Sequence, residues 1–189
     1  MQRIVMLGAV LAAVLAIVAV GAESVSATGS EFVASKVGKT KGKGTNAQIF
    51  KTGAGTLECS TVTSSGEITE LKSATHKETL TYGGCVAFGY SKVKISAVDF
   101  EFSANESARL ETAVTITPEG AGCHLTIPAQ TVGGVSYENK PSKQITATVN
   151  AHGITSKGSG GVCGSEENSE GSYTGTMTAE LESGSVEWK

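Results

Sequence analysis

The chain has 189 residues, enough for one domain or two small ones, and its 24 glycines against 3 prolines are typical of many turns between short strands. Aromatic residues make up only 5% and charged residues 17%, so Thr, Ser, Gly and Asn must cover most of the exterior. The formal net charge of −3 argues against nucleic-acid binding, which requires a basic surface.

The first predicted element is an uncharged, alanine-rich run over residues 4–22, which follows the single arginine of the N-terminus. Together with small residues as far as Ala27, the run indicates a secretory signal helix over residues 1–27. The alternative is an uncleaved anchor, because the run is just long enough to span a bilayer. We therefore predict a secreted or cell-surface protein that touches the membrane only through this segment, with its domain over residues 28–189.

Residues 28–45 hold four lysines among glycines. Their GKTKGKGT string is close to a phosphate-binding loop but fails the pattern, because no glycine stands the required distance before Lys39 and Gly44 replaces the Ser or Thr required after Lys43. The segment therefore predicts a solvated basic loop. The alternative is a loose attraction to an anionic wall polymer or to phospholipid.

Alternating residues predict strands through the next third of the chain. Leu57 and Cys59 share one face, and after a turn at Ser65-Gly66 the chain returns through Ile68 and Leu71 to a segment that ends at Cys85. This region therefore contains at least two strands. Within residues 92–103 the apolar positions change phase by one residue. That slippage predicts a β-bulge inside one continuous strand.

The segment from Gly120 to Asn139 contains the best short strand, in which Cys123, Leu125 and Ile127 alternate with polar residues. Gly133-Gly134 then stands between two apolar segments, and two adjacent glycines suit a tight turn that needs positive φ. The sequence therefore predicts a β-hairpin at this glycine pair.

The C-terminal third contains the cleanest alternation, over residues 144–151, which predicts a strand at the centre of a sheet. Residues 157–171 carry five glycines and three glutamates and predict a mobile surface loop that is held only by Cys163. Another alternating strand covers residues 173–181, with Tyr173 on its apolar face.

These elements amount to roughly nine to eleven strands, with no convincing helical period after the signal. The predicted fold class is all-β, a single antiparallel β-sandwich or flattened barrel.

Four cysteines in an exported chain favour two disulfides and no free thiol. Three connectivities are possible. We favour Cys59–Cys85 and Cys123–Cys163, because sequential strands are usually neighbours in antiparallel sheets and the loop around Cys163 needs a rigid anchor.

Several segments resemble a known group of proteins. They are Tyr82–Gly89, Cys123–Gln130, Gly134–Asn139, and Cys163 followed by Glu170–Gly175. The group consists of small, secreted, cysteine-containing, β-rich proteins of soil actinobacteria, and no activity is established for it. Its members often carry a further cysteine pair near the positions of Asp99 and Thr117, so this chain would have one disulfide fewer. The resemblance implies export and a β-fold, and it supplies no catalytic residue.

No motif predicts catalysis, a metal site or a cofactor. His76, His124 and His152 lie in separate predicted strands without metal-ligand spacing, although His124 and His152 would share a surface site if their strands were neighbours. Gly-x-Ser-x-Gly is absent, Asp99 is the only aspartate, and the adjacent Glu166 and Glu167 lie in the predicted loop.

Exposed aromatic residues would indicate a sugar-binding surface, and four residues are candidates. Tyr173 and Trp188 have the parity of core residues, whereas Tyr90 and Tyr137 are as easily exposed as buried.

The sequence favours a non-catalytic surface or matrix module of unknown ligand, with a cell-envelope glycan or another surface protein as its partner. The first alternative is a carbohydrate-binding module of the cell envelope, and a hydrolytic enzyme is the second.

Overall fold

The computed structural model describes residues 29–189, and within them it confirms the all-β prediction. The predicted signal segment 1–27 lies outside the described residues. Among the described residues, no helix has both the length and the apolar character needed to cross a membrane. The only helical turn in this part of the chain is a short 3-10 segment at Gly161–Cys163.

Sixteen strands, more than the nine to eleven expected, run through the described residues. The run over residues 92–103 is divided between two strands, and the predicted loop over residues 28–45 contains strands as well. They are β1 (Phe32–Ala34), β2 (Gly38–Gly44), β3 (Gln48–Thr52), β4 (Gly55–Ile68), β5 (Lys72–Ser73), β6 (Thr75–Ala87), β7 (Val93–Ile95), β8 (Val98–Ser103), β9 (Ser107–Leu110), β10 (Val114–Pro118), β11 (His124–Ile127), β12 (Gln130–Gly133), β13 (Val135–Lys140), β14 (Gln144–Ser159), β15 (Glu167–Leu181) and β16 (Val186–Trp188).

The strands form two antiparallel sheets. The large sheet has 13 strands, and its main path runs β12-β9-β8-β6-β4-β2-β15-β14-β11-β10-β7. Strand β3 follows β2 end to end in the same position between β4 and β15, and β13 pairs with β14. The small sheet has three strands in the order β16-β1-β5.

The large sheet folds back on itself as a sandwich. Edge strand β12 contacts β14, and edge strand β7 contacts β6. The Gln130 side chain fixes the first of these contacts, because it donates to the Thr155 carbonyl at 2.9 Å and accepts from the Thr155 N–H at 2.9 Å. Apolar residues from both halves meet in one core.

Strand β14 occupies the central position that its alternation predicts. It pairs with β15 on one side and with β13 and β11 on the other. Ile145, Ala147 and Ala151 point into the core. A strand paired on both sides and buried on one face has its register fixed by the apolar pattern, because a slip of one residue would expose that whole face.

Both disulfides join the cysteines that the sequence favours. Cys59 and Cys85 stand directly opposite each other on β4 and β6, with Cα atoms 4.0 Å apart. Cys123 is joined to Cys163, with Cα atoms 5.8 Å apart, and this bond links the start of β11 to the β14–β15 connection. No free cysteine is left.

The predicted hairpin at Gly133-Gly134 is wrong. Strand β12 pairs with β9, and β13 pairs with β14, so the two strands do not pair with each other. The chain crosses between strands at Gly134, whose φ is +79° and whose missing Cβ would clash with the carbonyl oxygen of Asn150. One glycine thus serves a crossover with close backbone contact.

The predicted bulge within residues 92–103 is also wrong. The phase changes because the run contains two strands in different parts of the large sheet. Strand β7 pairs with β10, whereas β8 pairs with β6 and β9. The change of phase therefore marks a passage from one part of the sheet to another.

Two predicted loops contain strands. Most of the basic segment 28–45 belongs to β1 and β2, and β2 lies between β4 and β15 with Lys39, Lys41 and Lys43 exposed and Thr40 buried. The segment 157–171 is a shorter connection than expected, since β14 runs to Ser159 and β15 begins at Glu167. Pairing with neighbouring strands outweighs the low strand propensity of glycine in both segments.

The small sheet covers one part of the large sheet and joins the two ends of the described chain. Strand β1 pairs with β16, and two backbone hydrogen bonds link Glu31 and Lys189 at 2.7 and 2.9 Å. Three residues of this small sheet are buried: Phe32, Ala34 and Val186. The space between the two sheets contains the candidate site.

Candidate functional site

A cavity of about 280 Å³ lies between the small sheet and the large sheet. Phe32, Ala34 and Val186 of the small sheet form one wall. The opposite wall belongs to the large sheet. It consists mainly of side chains from six of its strands: Thr40, His76, Glu78, Phe102, Tyr137, Ile145, Ala147, Met177 and Ala179.

The cavity opens beside the β4–β5 connection. Glu67, Thr69, Glu70 and Thr75 line it there and are all exposed. The cavity therefore combines an exposed, acidic mouth with a buried interior.

Among the residues that the structure describes, Glu78 is the only carboxylate in the interior of this cavity, and it is 3% exposed. The Thr40 hydroxyl donates to Glu78 Oε1 at 2.6 Å, and His76 Nε2 lies 2.7 Å from the same oxygen. Because a carboxylate oxygen only accepts, the His76 nitrogen is the donor in that contact. Glu78 Oε2 is buried and has no hydrogen-bond partner within the described chain.

A glycine makes this cluster possible. The predicted turn at Ser65-Gly66 is wrong, because both residues lie within β4. Gly66 pairs with Thr40 on one side and with Glu78 on the other, so the three residues form a row across β2, β4 and β6. A Cβ on Gly66 would lie 2.9 Å from Thr40 Oγ1 and 3.0 Å from Glu78 Cδ. The absence of a side chain there lets the hydroxyl and the carboxylate meet across the middle strand.

The geometry of the cluster suits recognition better than nucleophilic catalysis. A nucleophilic hydroxyl must give its proton to a base, and a third group must orient that base through its other nitrogen. Here the Thr40 hydroxyl donates its proton to Glu78 and not to His76. His76 Nε2 lies 3.3 Å from Thr40 Oγ1, but this nitrogen is already bound to the Glu78 carboxylate. Both side chains hold the carboxylate in place.

Aromatic rings line the cavity beside this carboxylate. The Phe32 ring lies edge-on to the Tyr137 ring, with centroids 5.2 Å apart. The centroid of the Phe32 ring is 6.4 Å from that of the His76 ring. Tyr137 also packs against Trp188 at 5.8 Å. The hydroxyl of Tyr137 donates to the Ser103 carbonyl at 2.9 Å, which fixes the ring in the wall.

The structure separates the three histidines. His124 and His152 are both exposed, and their strands are neighbours. However, His124 pairs with Ser159, which is about 23 Å along β14 from His152 at ~3.3 Å per residue. Among residues 29–189, no group of three His, Cys, Asp or Glu side chains has the arrangement of a metal site.

The aromatic candidates for sugar stacking are mostly engaged in the fold. Tyr173 and Trp188 pack against the core, as their parity predicts. The Trp188 indole N–H donates to the Ala104 carbonyl at 3.1 Å. Tyr137 is partly buried in the cavity wall, and Tyr90 is partly exposed at the end of β6, apart from the other three.

A second cavity, of about 90 Å³, lies inside the large sheet and is lined almost entirely by apolar side chains. Its polar groups are Tyr82, Tyr173, Gln48 and Gln130. The Tyr82 and Tyr173 hydroxyls lie 3.2 Å apart, and Tyr173 donates to Gln48 Oε1. Burial raises the pKa of Tyr82 to about 12, so its hydroxyl stays protonated at neutral pH.

Sequence reasoning singled out His76 but missed Thr40 and Glu78. A signal for Glu78 was present, because it has the same parity along β6 as Leu80, a core residue. Thr40 gave no comparable signal, since its neighbours are lysines and glycines. Only the pairing of β2 with β4 brings it to the cluster.

Comparison of the chain with protein-family models, with curated proteins and with solved structures gives no match.

Proposed function

We propose that this protein is an exported, non-catalytic module of the cell surface or its surrounding matrix, and that it acts by holding a small ligand in the cavity beneath the small sheet. The observation that carries the proposal is the buried Glu78 carboxylate, which lines that cavity with one oxygen unpartnered. An unsatisfied buried acceptor typically costs about 1–3 kcal/mol. Functional sites are one place where proteins retain such a cost. Ser64, Glu111, Thr146 and Ser156 also have an unpartnered buried oxygen, but Glu78 alone among these residues lines this cavity.

The surroundings of Glu78 also support binding. Ligand sites combine mostly apolar walls with a few convergent polar groups, in volumes of about 300–1,000 Å³. The cavity of about 280 Å³ has this composition and lies close to the lower limit of that range. Because Thr40 and His76 both bind Glu78 Oε1, the carboxylate is held in a fixed position before any ligand arrives.

Export is supported by the N-terminal apolar run and by the two disulfides. Disulfides persist in oxidising compartments such as the extracellular space.

The experiment begins with expression of the full chain in a secreting host. Protein is recovered from the medium, and its intact mass gives the N-terminus. We expect the mature chain to begin between Glu23 and Thr28. Membrane-bound protein that retains Met1 would indicate an uncleaved anchor and contradict secretion, and protein that stays in the cytoplasm would contradict export.

Binding is then tested by ligand-observed NMR against a set of small molecules and envelope glycans. The variant A147L adds volume at a buried residue that lines the cavity, and A97L makes the same change at an exposed residue outside it. We expect A147L to weaken binding at least tenfold and A97L to leave it unchanged. Binding that survives A147L would place the ligand elsewhere, and turnover of any bound compound would refute the non-catalytic proposal.

A further inference from the structure

The class of ligand follows from the chemistry of the same cavity. We propose that the cavity binds a small organic ammonium ion, such as a protonated primary amine with an apolar body. This inference rests on the proposed function, because it assigns a ligand class to the site described above. Four features of the cavity lead to it.

The first feature is the acceptor. Glu78 Oε1 already accepts from Thr40 and His76, whereas Oε2 is buried and unpartnered. A carboxylate oxygen can only accept, so the ligand group that satisfies it must be a donor. Donors that carry a positive charge make the shorter and stronger bonds to a carboxylate.

The second feature is charge. Three carboxylates line the cavity, those of Glu67, Glu70 and Glu78, against the cationic candidates His76 and Lys77. The Lys77 ammonium points away, because its side chain is 65% exposed and pairs with Glu111 at 3.0 Å and Glu101 at 3.5 Å. The carboxylates therefore outnumber His76, the one cationic candidate among the described residues that faces the cavity, and this balance favours a cation over an anion.

The third feature is the aromatic wall. Phe32, Phe102 and Tyr137 line the cavity together with Glu78. Aromatic faces attract cations, and the attraction is greater where water is excluded. The remaining walls are aliphatic and suit the apolar body of an amine. A sugar would leave several hydroxyl groups without partners against these walls.

The fourth feature is the number of ligating groups. A bare metal ion needs several oxygen or nitrogen ligands, and the interior offers only Glu78, His76 and Thr40, with Thr40 and His76 both bound to the carboxylate. An organic ammonium ion needs one acceptor and an apolar enclosure, which this cavity provides.

The test uses three probes of similar shape with the exported protein: phenethylamine, 2-phenylethanol and phenylacetate. Binding is measured by calorimetry and by the fluorescence of Trp188, the single tryptophan, which packs against the cavity residue Tyr137. We expect phenethylamine to bind at least tenfold more tightly than the alcohol, and phenylacetate to bind least.

The variant E78Q keeps the shape of the side chain and removes its charge, and E166Q makes the same change in an exposed loop outside the cavity. We expect E78Q to abolish the preference for the amine and E166Q to keep it. The probe series decides the question with the unmodified protein even if E78Q does not fold.

Each outcome separates the two proposals. Equal binding of amine and alcohol, with sensitivity to A147L, would overturn the ammonium class and leave a binding cavity. An amine preference that E78Q retains would overturn the role of Glu78. Absence of binding by all three probes at millimolar concentration would overturn the inference, and the wider screen with A147L would then decide whether the cavity binds any ligand.

Discussion

Three of the four tyrosines have buried hydroxyl groups, and burial raises the pKa of each. Burial raises the pKa of Tyr82 to about 12, although its hydrogen bond with Tyr173 opposes the change. Burial also raises the pKa of Tyr173 well above its ordinary value, and the neighbouring Tyr82 adds to this effect. For Tyr137 the increase in pKa comes from burial first and from the charge of Glu106 second.

We predict that these tyrosines make the protein lose stability in alkali. In the unfolded chain a tyrosine releases its proton near pH 10, whereas Tyr82 holds its proton to about 12 in the folded state. Below pH 10 the proton is bound in both states, so the stabilising contribution is fully present. It is lost as the pH rises from about 10 to 12, because only the unfolded chain then releases protons.

Phenolate absorbance measured against pH checks this prediction. The folded protein should form fewer phenolates at pH 11 than the protein in guanidinium chloride. Y82F should reduce the dependence of the melting temperature on pH over the same interval. Superimposable titrations of the folded and unfolded protein would contradict the prediction.

The candidate site shows what the sequence reveals at the scale of single residues. The inward position of Glu78 could be predicted from its parity with Leu80. Its partners could not all be found, because Thr40 reaches it only across the intervening Gly66. The hydrogen bond between Thr40 and Glu78 joins residues 38 apart in sequence. Local periodicity does not predict a contact over such a separation.

At the scale of the element, the crossover between β12 and β13 depends on one glycine of a pair. Gly134 has φ +79°, and a side chain there would clash with the backbone of Asn150. Gly133 has nothing within 4 Å of its missing Cβ and has no positive φ. The two adjacent glycines therefore have different structural roles.

We predict that G134A and G133A differ strongly in stability. G134A forces a side chain into a left-handed conformation and a backbone clash, so its free energy of unfolding should fall by about 2–4 kcal/mol. G133A should change that free energy by less than about 0.5 kcal/mol. Denaturant unfolding of both variants measures the difference, and equal losses would support a two-glycine hairpin instead.

Strands that alternate cleanly were predictable, and their partners were not. The inward faces of β14 and β15 follow from residues two apart along the chain, a local property. The hairpin failed because turn chemistry at Gly133-Gly134 does not tell which strand will pair with β13. That choice depends on β14, which offers β13 a continuous register from Val149 to Gln144.

At the scale of the whole molecule, long-range pairing holds the sandwich together. The small sheet joins β1 to β16 through Phe32 and Trp188, which are at opposite ends of the described chain. The paired strands β1 and β16 form one wall of the cavity. Neither short segment alone predicts this pairing. The disulfides are the long-range links that the sequence did favour, because four cysteines allow only three connectivities and sequential strands are usually neighbours in antiparallel sheets.

The last prediction concerns these two disulfides. They span separations of 26 and 40 residues, for which loop entropy gives a stabilisation of about 3.5 and 4 kcal/mol. Removing either should lower the melting temperature by roughly 8–16 °C, measured by calorimetry. The local effects should differ. Without Cys59–Cys85, backbone pairing from Leu57 to Gly66 still joins β4 to β6, so the amides of these strands should stay protected from hydrogen exchange in C59A/C85A.

Cys123–Cys163 instead holds the connection between Ser159 and Glu167, which contains only one short helical turn. In C123A/C163A, amides 160–166 should therefore exchange much faster while β14 and β15 keep their protection. Unchanged exchange in this connection would mean that the surrounding backbone contacts hold it without the disulfide. Non-reducing peptide mapping of the parent checks the premise, and a peptide that links Cys59 to Cys123 or Cys163 would refute it.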